Sequence, residues 1–486
     1  MTIRDLNPKI VWENFYGLSQ IPRPSKHEEK VRAYLLEWGK KHGVDVFEDE
    51  TGNVIFRKPA TPGFENRRGV IMQGHMDMVP QKTATTVHDF LKDPIKTKIV
   101  GDWVGAEGTT LGADDGIGVC LALSVLEDKT LRHGPLEVLV TYDEETGMTG
   151  AEKLKPGVLQ GDILLNLDSE TEGELYIGCA GGLDGSADFK YTAKPSPSGY
   201  QSWKLTVKGF QGGHSGMDII LYRANANKAA ARIVLPLMDK FGVLLSDFTG
   251  GSLRNAIPFE AEVSLLVPDN AVDNVKAEVE RVFAEIKAEY SETDPNAVCY
   301  FELQDKGFID YIEEAVALNA IKALIACPNG VERMSASVPG LVETSNNMAV
   351  VRTEKDHITV RSLMRSSVDT AKEALAEKMR CVFQLAGAEF STTGGYSGWT
   401  PKPDAPIILT LKEVYKKLFG KDMKVMAIHA GLECALLGAK YPSWDMVSFG
   451  PTIVHPHSPD ERVKIDTVER TWEFLKAVIE NIPEKK

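Results

Sequence analysis

The stretch Gly69-Val-Ile-Met-Gln-Gly-His-Met-Asp77 places a histidine and an aspartate at the end of an apolar run. Side chains alternate along a β-strand with a period of two, so His75 and Asp77 point to the same side. His75 can then act as a metal ligand or a base, while Asp77 stands behind it and fixes its tautomer. A strand-end histidine is more often a structural residue, so the metal interpretation depends on ligands elsewhere in the chain.

The composition predicts an ordinary soluble protein with more than one domain. The chain has 486 residues, which is more than a single hydrophobic core normally holds. Of these residues 43% are apolar and 26% are charged, which is typical of soluble globular proteins. Its formal net charge of −14 argues against nucleic acid or an anionic membrane as the main partner. No apolar stretch reaches the ~20 residues of a membrane span, and the first residues lack the apolar core of a signal peptide. We therefore expect a cytoplasmic protein.

The cysteine pattern restricts the ligands of any metal. The six cysteines are scattered through the chain without a CxxC pair, which is typical of reduced thiols and not of a disulfide framework or a zinc-thiolate site. We therefore expect a metal to be bound by His, Asp and Glu.

Continuous apolar runs separated by helical patterns predict an α/β fold with a mostly parallel sheet flanked by helices. A helix is predicted at 28–42, strands at 136–142 and 162–167, and a mixed, loop-like segment at 83–110. The texture changes after residue 186 and again in the Gly/Pro-rich segment 394–406. The sequence thus predicts a first domain of residues 1–186 and 398–486, with an inserted α+β domain of residues 187–397.

Four apolar elements of the first domain end in, or begin with, ionisable residues. These are His75 with Asp77, Asp114 with Asp115, the run Asp143-Glu144-Glu145, and Asp168. The carboxyl ends of parallel strands meet at one edge of a sheet, where ligands bind. Carboxylates gathered there repel one another unless cations neutralise them, and two metal ions ~3.5–4 Å apart would do so. His455 and His457 offer the second histidine that such a site needs, and the pair Glu144-Glu145 allows one ligand and one general base.

The motifs, in their order along the chain, resemble the M20 family of dizinc peptidases. They are Gly74-His-Met-Asp, Gly112-Ala-Asp-Asp-Gly, Glu144-Glu145, Asp168, Gly212-Gly-His-Ser-Gly and Pro456-His-Ser-Pro-Asp-Glu. Finer features resemble the aminoacyl-histidine dipeptidase branch, among them His133-Gly-Pro-Leu-Glu-Val-Leu, Arg254-Asn-Ala-Ile-Pro and Ile428-His-Ala-Gly-Leu-Glu-Cys. The resemblance spans nearly the whole chain.

The resemblance implies a zinc-exopeptidase-like catalytic domain and assigns the metal ligands. Asp114 would bridge both ions, and the peptide between Asp114 and Asp115 would be cis. The remaining implied ligands are His75 and Asp168 for one ion, and Glu145 and His457 for the other. His457 is preferred to His455 because the family ligand directly precedes Ser-Pro-Asp-Glu.

The resemblance also implies the catalytic and substrate-binding residues. Asp77 would orient His75, and Glu144 would be the general base. The inserted domain would be a lid through which two chains form a homodimer. It would supply His214 to stabilise the oxyanion, and Asn255 and Arg365 to grip the substrate's C-terminal carboxylate, with Arg361 as a competing candidate. Gly431 and Glu433 match a stretch that lines the substrate pocket.

The function that this resemblance implies is metal-dependent hydrolysis of dipeptides, including Xaa-His substrates such as β-Ala-His. Two divalent ions would be needed, with zinc expected and manganese or cobalt as alternatives. Short peptides would be the partners. An N-acyl amino acid deacylase or a carboxypeptidase of the same family is the first alternative, and a non-catalytic metal- or peptide-binding protein is the second.

Overall fold

The structure is a computed structural model that describes residues 2–485. The chain forms two compact units. Unit 1 comprises Met1–Gly178, Pro401–Ala427 and Leu432–Lys486, and unit 2 comprises Cys179–Thr400 and Ile428–Gly431. The chain thus leaves unit 1 twice, once for a long insertion and once for four residues.

Twelve α-helices lie within the described residues. They are α1 (Lys9–Ser19), α2 (Glu29–His42), α3 (Ala113–Glu127), α4 (Glu144–Gly147), α5 (Thr149–Lys153), α6 (Ala226–Phe241), α7 (Val272–Glu289), α8 (Glu314–Ala326), α9 (Asp369–Leu385), α10 (Pro406–Phe419), α11 (Glu433–Lys440) and α12 (Ile465–Glu480). Three short 3₁₀ turns cover Ile3–Asp5, Ile219–Leu221 and Asp269–Ala271. Helix α2 shows the predicted pattern, because Val31, Leu35 and Trp38 are buried and Gly43 ends the helix with a left-handed φ of 68°.

Twenty-five strands lie within the same residues. In unit 1 and at its borders they begin with β1 (Asp45–Glu48), β2 (Val54–Lys58), β3 (Val70–His75), β4 (Thr97–Val100), β5 (Trp103–Ala106), β6 (Leu136–Thr141), β7 (Ile163–Asn166) and β8 (Glu174–Cys179). Next come β9 (Gly181–Lys190), β10 (Ala193–Pro195), β11 (Tyr200–Lys208), β12 (Gly213–His214), β13 (Leu244–Gly250), β14 (Ala256–Ile257), β15 (Ala261–Pro268), β16 (Val298–Leu303), β17 (Asp310–Ile312) and β18 (Gly330–Met334). The last are β19 (Val342–Thr353), β20 (His357–Ser366), β21 (Glu389–Tyr396), β22 (Lys424–Ile428), β23 (Asp445–Ser448), β24 (Ile453–Val454) and β25 (Arg462–Lys464).

The main sheet of unit 1 has eight strands in the order β1-β2-β6-β3-β7-β23-β8-β22. Its centre is parallel, since β3 pairs in parallel with β6 and β7, and β7 with β23. The pairs β1–β2, β2–β6 and β23–β8 are antiparallel. The predicted α/β class with a mostly parallel sheet is therefore confirmed, and each antiparallel pair named here includes at least one strand outside the parallel set β6-β3-β7-β23.

The central strands of this sheet are fully buried, which explains their continuous apolar sequences. All residues of β3, β6 and β7 are buried. The register aligns His75 with Thr141 and Gln73 with Asn166, so the carboxyl ends of the three strands lie side by side. The ionisable residues that follow these strands are thereby brought to one edge.

The prediction of a loop-like segment at 83–110 is wrong in part. Strands β4 and β5 lie within it and join β24 and β25 in a four-stranded sheet of order β24-β25-β5-β4. Strand β4, Thr97–Val100, alternates two half-exposed residues, Thr97 and Ile99, with two exposed ones, Lys98 and Val100, so its sequence carries little signal of burial. Strand β4 pairs with β5, and β5 pairs in turn with β25, which lies more than 350 residues further along the chain and beyond the reach of a local pattern.

Unit 2 is built on a nine-stranded sheet. Eight strands follow the order β16-β11-β15-β13-β19-β20-β9-β21, and β18 pairs with β19. All the pairs described for this sheet are antiparallel. Helices α6–α9 pack on it around a buried apolar cluster that includes Leu205, Ile233, Val263 and Met379. This is the α+β architecture that the sequence predicts for the inserted segment.

Within residues 2–485, none of the helices combines the length and the apolar character that a transmembrane helix requires.

Candidate active site

The residues predicted as metal ligands lie in unit 1 at the ends of neighbouring elements. His75 is the last residue of β3, and Asp114 lies in the first turn of α3. Glu145 lies in α4, directly after β6, and Asp168 follows β7 by two residues. His457 lies in the loop between β24 and β25. The peptide between Asp114 and Asp115 is cis.

The carboxylate of Asp114 lies between two histidine rings. Its Oδ1 atom is 3.1 Å from Nε2 of His75, and its Oδ2 atom is 3.1 Å from Nε2 of His457. Each histidine nitrogen also faces a second carboxylate. Asp168 Oδ1 is 3.4 Å from His75 Nε2, and Glu145 Oε2 is 3.0 Å from His457 Nε2. The two oxygens of Asp114 therefore belong to two separate groups of donor atoms.

The carboxylates favour the protonated forms of both histidines. Hydrogen bonds with Asp114 and Glu145 raise the pKa of His457 to about 11. Burial by itself would lower the pKa of His75, but the surrounding carboxylates, Asp168 first, raise it well above its ordinary value. Among residues 2–485, no lysine or arginine forms an ion pair with Asp114, Glu145 or Asp168. Divalent cations that displace the histidine protons would fit this set of imidazole nitrogens and carboxylate oxygens.

Asp77 connects His75 to the turn that carries the glutamates. Its Oδ1 atom lies 3.3 Å from Nδ1 of His75. Its two oxygens accept the backbone N–H groups of Glu144 (3.0 Å) and Glu145 (3.3 Å). Burial would raise the pKa of Asp77, but its interactions with His75, Ser25 and the amide of Glu144 lower it. Asp77 is therefore an anion that holds one ring and two backbone amides at once.

Glu144 has the protonation behaviour that suits a general base. Burial raises its pKa well above the ordinary value, and the nearby charges of Asp168, Glu433 and Glu145 act in the same direction, although His75 opposes them. A carboxylate with a raised pKa accepts a proton more readily near neutral pH. The hydrogen bond from the backbone N–H of Glu144 to Asp77 fixes the backbone from which the Glu144 side chain projects.

Asp143, which precedes the two glutamates, adopts a left-handed backbone conformation that its side-chain contacts stabilise. Asp143 has a φ of 54°, uncommon for a residue other than glycine. Its buried carboxylate pairs with Lys26 and accepts hydrogen bonds from the hydroxyls of Thr146 and Thr149. Together with Glu28, it also approaches Asp77 closely enough to form a group of three carboxylates. Sequence reasoning did not identify Lys26 or Glu28.

His214, in unit 2, has its proton position set by backbone groups. Its Nδ1 atom accepts N–H groups from Gly216 (3.3 Å) and Met217 (3.0 Å). The ring proton must therefore lie on Nε2, which leaves that atom as a hydrogen-bond donor. Burial, followed by the charge of Arg365, lowers the pKa of His214 and keeps the ring neutral. Gly213, with a φ of 132°, permits the turn that brings these amides to the ring.

Arg365 is a buried guanidinium without an acidic partner. The residue is only 5% exposed, and no Asp or Glu among residues 2–485 forms an ion pair with it. Its Nη1 atom donates to the hydroxyl of Tyr396 at 3.3 Å, while Nε has no partner. The competing candidate Arg361 is exposed. Buried charges are normally paired, so an unpaired arginine points to an anion that it binds.

The other predicted substrate-binding residues have different environments. Asn255 is exposed, and its backbone carbonyl accepts the N–H of Ser215, next to His214. Gly431 belongs to unit 2, where an added Cβ would lie 3.1 Å from the ring of Tyr396. Glu433 belongs to unit 1 and is buried, with Oε2 accepting bonds from Gln73 and Thr141.

His455 stands apart from the carboxylate cluster. The residue is exposed, and its carbonyl accepts the hydroxyl hydrogen bond of Ser458. Neither of the carboxylates that face His457 forms an ion pair with His455 among the described residues.

Three comparisons relate the chain to known proteins. The model of peptidase family M20/M25/M40 matches residues 71–481. The cytosol non-specific dipeptidase of Escherichia coli strain K12 is 43% identical over 489 residues, which covers 99% of each chain.

Solved structures give the same picture. The crystal structure of aminoacylhistidine dipeptidase from Vibrio alginolyticus aligns with a TM-score of 0.96 and 47% identity, over 100% of this chain and 99% of that one. The aminopeptidase PepT from Bacillus cereus aligns with a TM-score of 0.58 over 98% and 99% of the two chains. At 18% identity, this second match shows the fold alone.

Proposed function

The chain belongs to peptidase family M20/M25/M40, and on this premise we propose that it is a dipeptidase that works with two divalent metal ions. Metal-dependent dipeptide hydrolysis agrees with its 43% identity to a non-specific dipeptidase over the full chain. The observation that carries the proposal is the position of Asp114, whose two oxygens face two different histidines at 3.1 Å. One carboxylate shared in this way is what a two-metal site requires.

The proposed ligands divide into two sets that share Asp114. His75 and Asp168 would complete one site, and Glu145 and His457 the other. Nitrogen and carboxylate oxygen donors suit zinc, our proposed metal, and also manganese or cobalt. When bound, such ions acidify a water molecule and polarise a peptide carbonyl.

Glu144 would move the proton during hydrolysis. Its carboxylate takes a proton from the attacking water as the new C–O bond forms, and returns it to the nitrogen of the leaving amine as the C–N bond breaks. Asp77 keeps this base in place through the Glu144 amide and supports the ring of His75 through Nδ1. The raised pKa of Glu144 favours both proton transfers near neutral pH.

Unit 2 would supply substrate recognition, and unit 1 would be the catalytic domain. With its proton on Nε2, His214 can donate a hydrogen bond to an oxyanion. Arg365, unpaired and buried, can bind the free C-terminal carboxylate of a dipeptide with its planar fork, assisted by Asn255. By the resemblance, Gly431, which lies beside Tyr396, and the buried Glu433 would belong to the stretch that lines the substrate pocket.

The preferred substrates would be unblocked dipeptides, among them Xaa-His compounds such as β-Ala-His. The names of the relatives from Escherichia coli and Vibrio alginolyticus support this choice. The first of these names also supports a cytoplasmic location. A homodimer formed through unit 2 is part of the proposal and rests on the resemblance of the sequence to its family.

A substrate panel tests the proposed function. Metal-free protein is restored with zinc, manganese or cobalt and assayed on β-Ala-His, Leu-Gly and an N-acetyl amino acid. We expect hydrolysis of the dipeptides and little of the acetylated compound. Preferential cleavage of the N-acetyl amino acid would favour a deacylase, while metal binding without any turnover would favour a binding protein.

A further inference from the structure

The carboxylate of Glu461 binds four consecutive backbone amides. Its Oε2 atom accepts the N–H groups of Leu111 (2.8 Å) and Gly112 (3.0 Å), and its Oε1 atom those of Ala113 (2.7 Å) and Asp114 (3.3 Å). The residue is 2% exposed. No lysine or arginine among the described residues forms an ion pair with it, so its partners are these amides.

These amides open helix α3, whose first N–H groups have no partner within the helix. Gly112 precedes the helix and offers no side chain to cap it. Asp114 and Asp115 also depart from helical backbone angles, so the regular helical pattern cannot fix this turn. Glu461 therefore determines the position of the backbone from which the Asp114 carboxylate projects.

Arg23 binds the same turn from another direction. Its guanidinium donates to the carbonyls of Met76 (3.0 Å), Asp77 (2.9 Å) and Gly112. Like Glu461, it is 2% exposed. A Cβ on Gly112 would lie 2.6 Å from an Arg23 nitrogen, so only glycine leaves room for this contact. Arg23 thus joins the turn after His75 to the turn before Asp114.

Glu461 also belongs to the turn that carries His457. Its backbone N–H donates to the carbonyl of Ser458 at 3.0 Å, and only three residues separate it from His457. The side chain of Glu461 consequently links the His457 turn to the Asp114 turn. Among the described residues, the hydrogen bonds of the Glu461 and Arg23 side chains go to backbone atoms, and the carboxylates of Asp114, Glu145 and Asp168 form their ion pairs with His75 and His457.

We propose that Glu461 and Arg23 are positioning residues that hold the segments bearing His75, Asp114 and His457 in register for metal binding. This inference rests on the proposed two-metal site. The anionic Glu461 binds backbone N–H groups of residues 111–114, and the cationic Arg23 binds the backbone carbonyls of Met76, Asp77 and Gly112. Because these bonds are made to the main chain, they fix the backbone positions of the ligand-bearing segments independently of a bound ion.

The test measures metal affinity by equilibrium dialysis and elemental analysis of the full chain, with zinc and manganese as probes. In E461Q the amide keeps the size of the side chain but turns an NH₂ group toward two N–H donors. We expect affinity to fall 10–100-fold, as when other groups that support a ligand are removed. D460N is the matched control, since Asp460 is the exposed neighbour, and its affinity should stay within twofold.

Two further variants keep the inference falsifiable if E461Q does not fold. E461D retains the charge but shortens the reach, and R23K retains the charge but cannot reach three carbonyls with one amine. Both variants should bind metal more weakly than the wild type. The thermal midpoint of the metal-free variants should stay close to that of the metal-free wild type. Unchanged metal affinity in all folded variants, whatever their stability, would overturn the inference.

The wild-type result separates this inference from the proposed function. A wild-type chain that does not bind two ions would refute the two-metal site itself, and the positioning role with it. A wild-type chain that binds two ions, beside E461Q, E461D and R23K variants that bind them equally well, would leave the proposed function intact and refute only the positioning role.

Discussion

The polar clusters of the two units have opposite electrostatic character. In unit 1, several buried carboxylates surround His75 and His457 and raise the pKa of both rings. In unit 2, Arg365 is buried without an acid, and the pKa values of His214 and His429 are lowered. This contrast is what we expect if, as proposed, unit 1 binds cations and unit 2 binds the carboxylate of a substrate.

The largest expected effect comes from removing the base in the anionic cluster of unit 1. Glu144→Gln should reduce kcat by about 10²–10⁴-fold, because the amide cannot accept the proton of the attacking water. Elemental analysis should still find two ions per chain. Glu152→Gln, at an exposed position nearby in the sequence, is the control. Substantial turnover by a fully metal-loaded Glu144→Gln protein would exclude the assigned role.

A second change weakens the same cluster without removing a ligand. In Asp77→Asn, an NH₂ group replaces one of the oxygens that face His75 and the amides of Glu144 and Glu145. We expect metal affinity to fall about 10–100-fold, measured by equilibrium dialysis. Asp77 would have no supporting role if the variant bound both ions as tightly as the wild type.

The cationic side of the comparison depends on the shape of Arg365 as well as its charge. Arg365→Lys keeps the charge but loses the planar fork, so KM for a dipeptide should rise about tenfold or more, with a smaller change in kcat. Arg361→Lys, at the exposed arginine four residues earlier, should change neither constant by more than twofold. The reverse outcome would identify Arg361 as the carboxylate-binding residue.

The smallest expected effect concerns stability in unit 2. Burial, followed by the charges of Arg365 and His214, lowers the pKa of His429 to about 3. Its Nε2 atom lies 2.7 Å from the hydroxyl of Ser345. Between pH 3 and 6.5 the unfolded chain binds a proton that the folded chain does not, so stability is complete above pH 6.5 and declines below it.

Urea unfolding measures this decline. From pH 7.5 to pH 6, wild-type protein should lose about 1 kcal/mol more of its unfolding free energy than His429→Gln, which has no titrating ring. The comparison of two variants at each pH removes the contribution of all other titrating groups. Equal losses in the two proteins would show that His429 is not held neutral by its surroundings.

Local sequence patterns predicted the parts of the fold that local forces determine. The burial of Val31, Leu35 and Trp38 in α2 follows from helical periodicity, and the strands that end near His75 and Asp168 follow from continuous apolar runs. The meeting of strand ends at one sheet edge suggested that His75 and Asp114 lie together, but the choice of His457 over His455 required the family resemblance, because no local pattern distinguishes the two late histidines.

The sequence did not predict which side chains bind backbone atoms of distant segments. Glu461 binds amides about 350 residues earlier in the chain, and Arg23 binds three carbonyls. Every residue has a carbonyl, so the sequence does not reveal which one an arginine will bind. Glu461 nevertheless closes the motif Pro456-His-Ser-Pro-Asp-Glu, and this was the one available signal. The hydrogen bond from Arg365 to Tyr396 could not be predicted for the same reason, since Tyr396 lies on another strand.

The four-residue return of the chain to unit 2 determines how that unit could be produced by itself. Residues 428–431 supply His429 to Ser345, and the carbonyls of Ile428 and Ala430 to the amide of Ala180. A fragment that ends at residue 400 would lack all three groups and would leave the amide of Ala180 without either of these carbonyl acceptors. An exchange of this unit between related enzymes therefore needs two grafts: the long insertion and this short excursion.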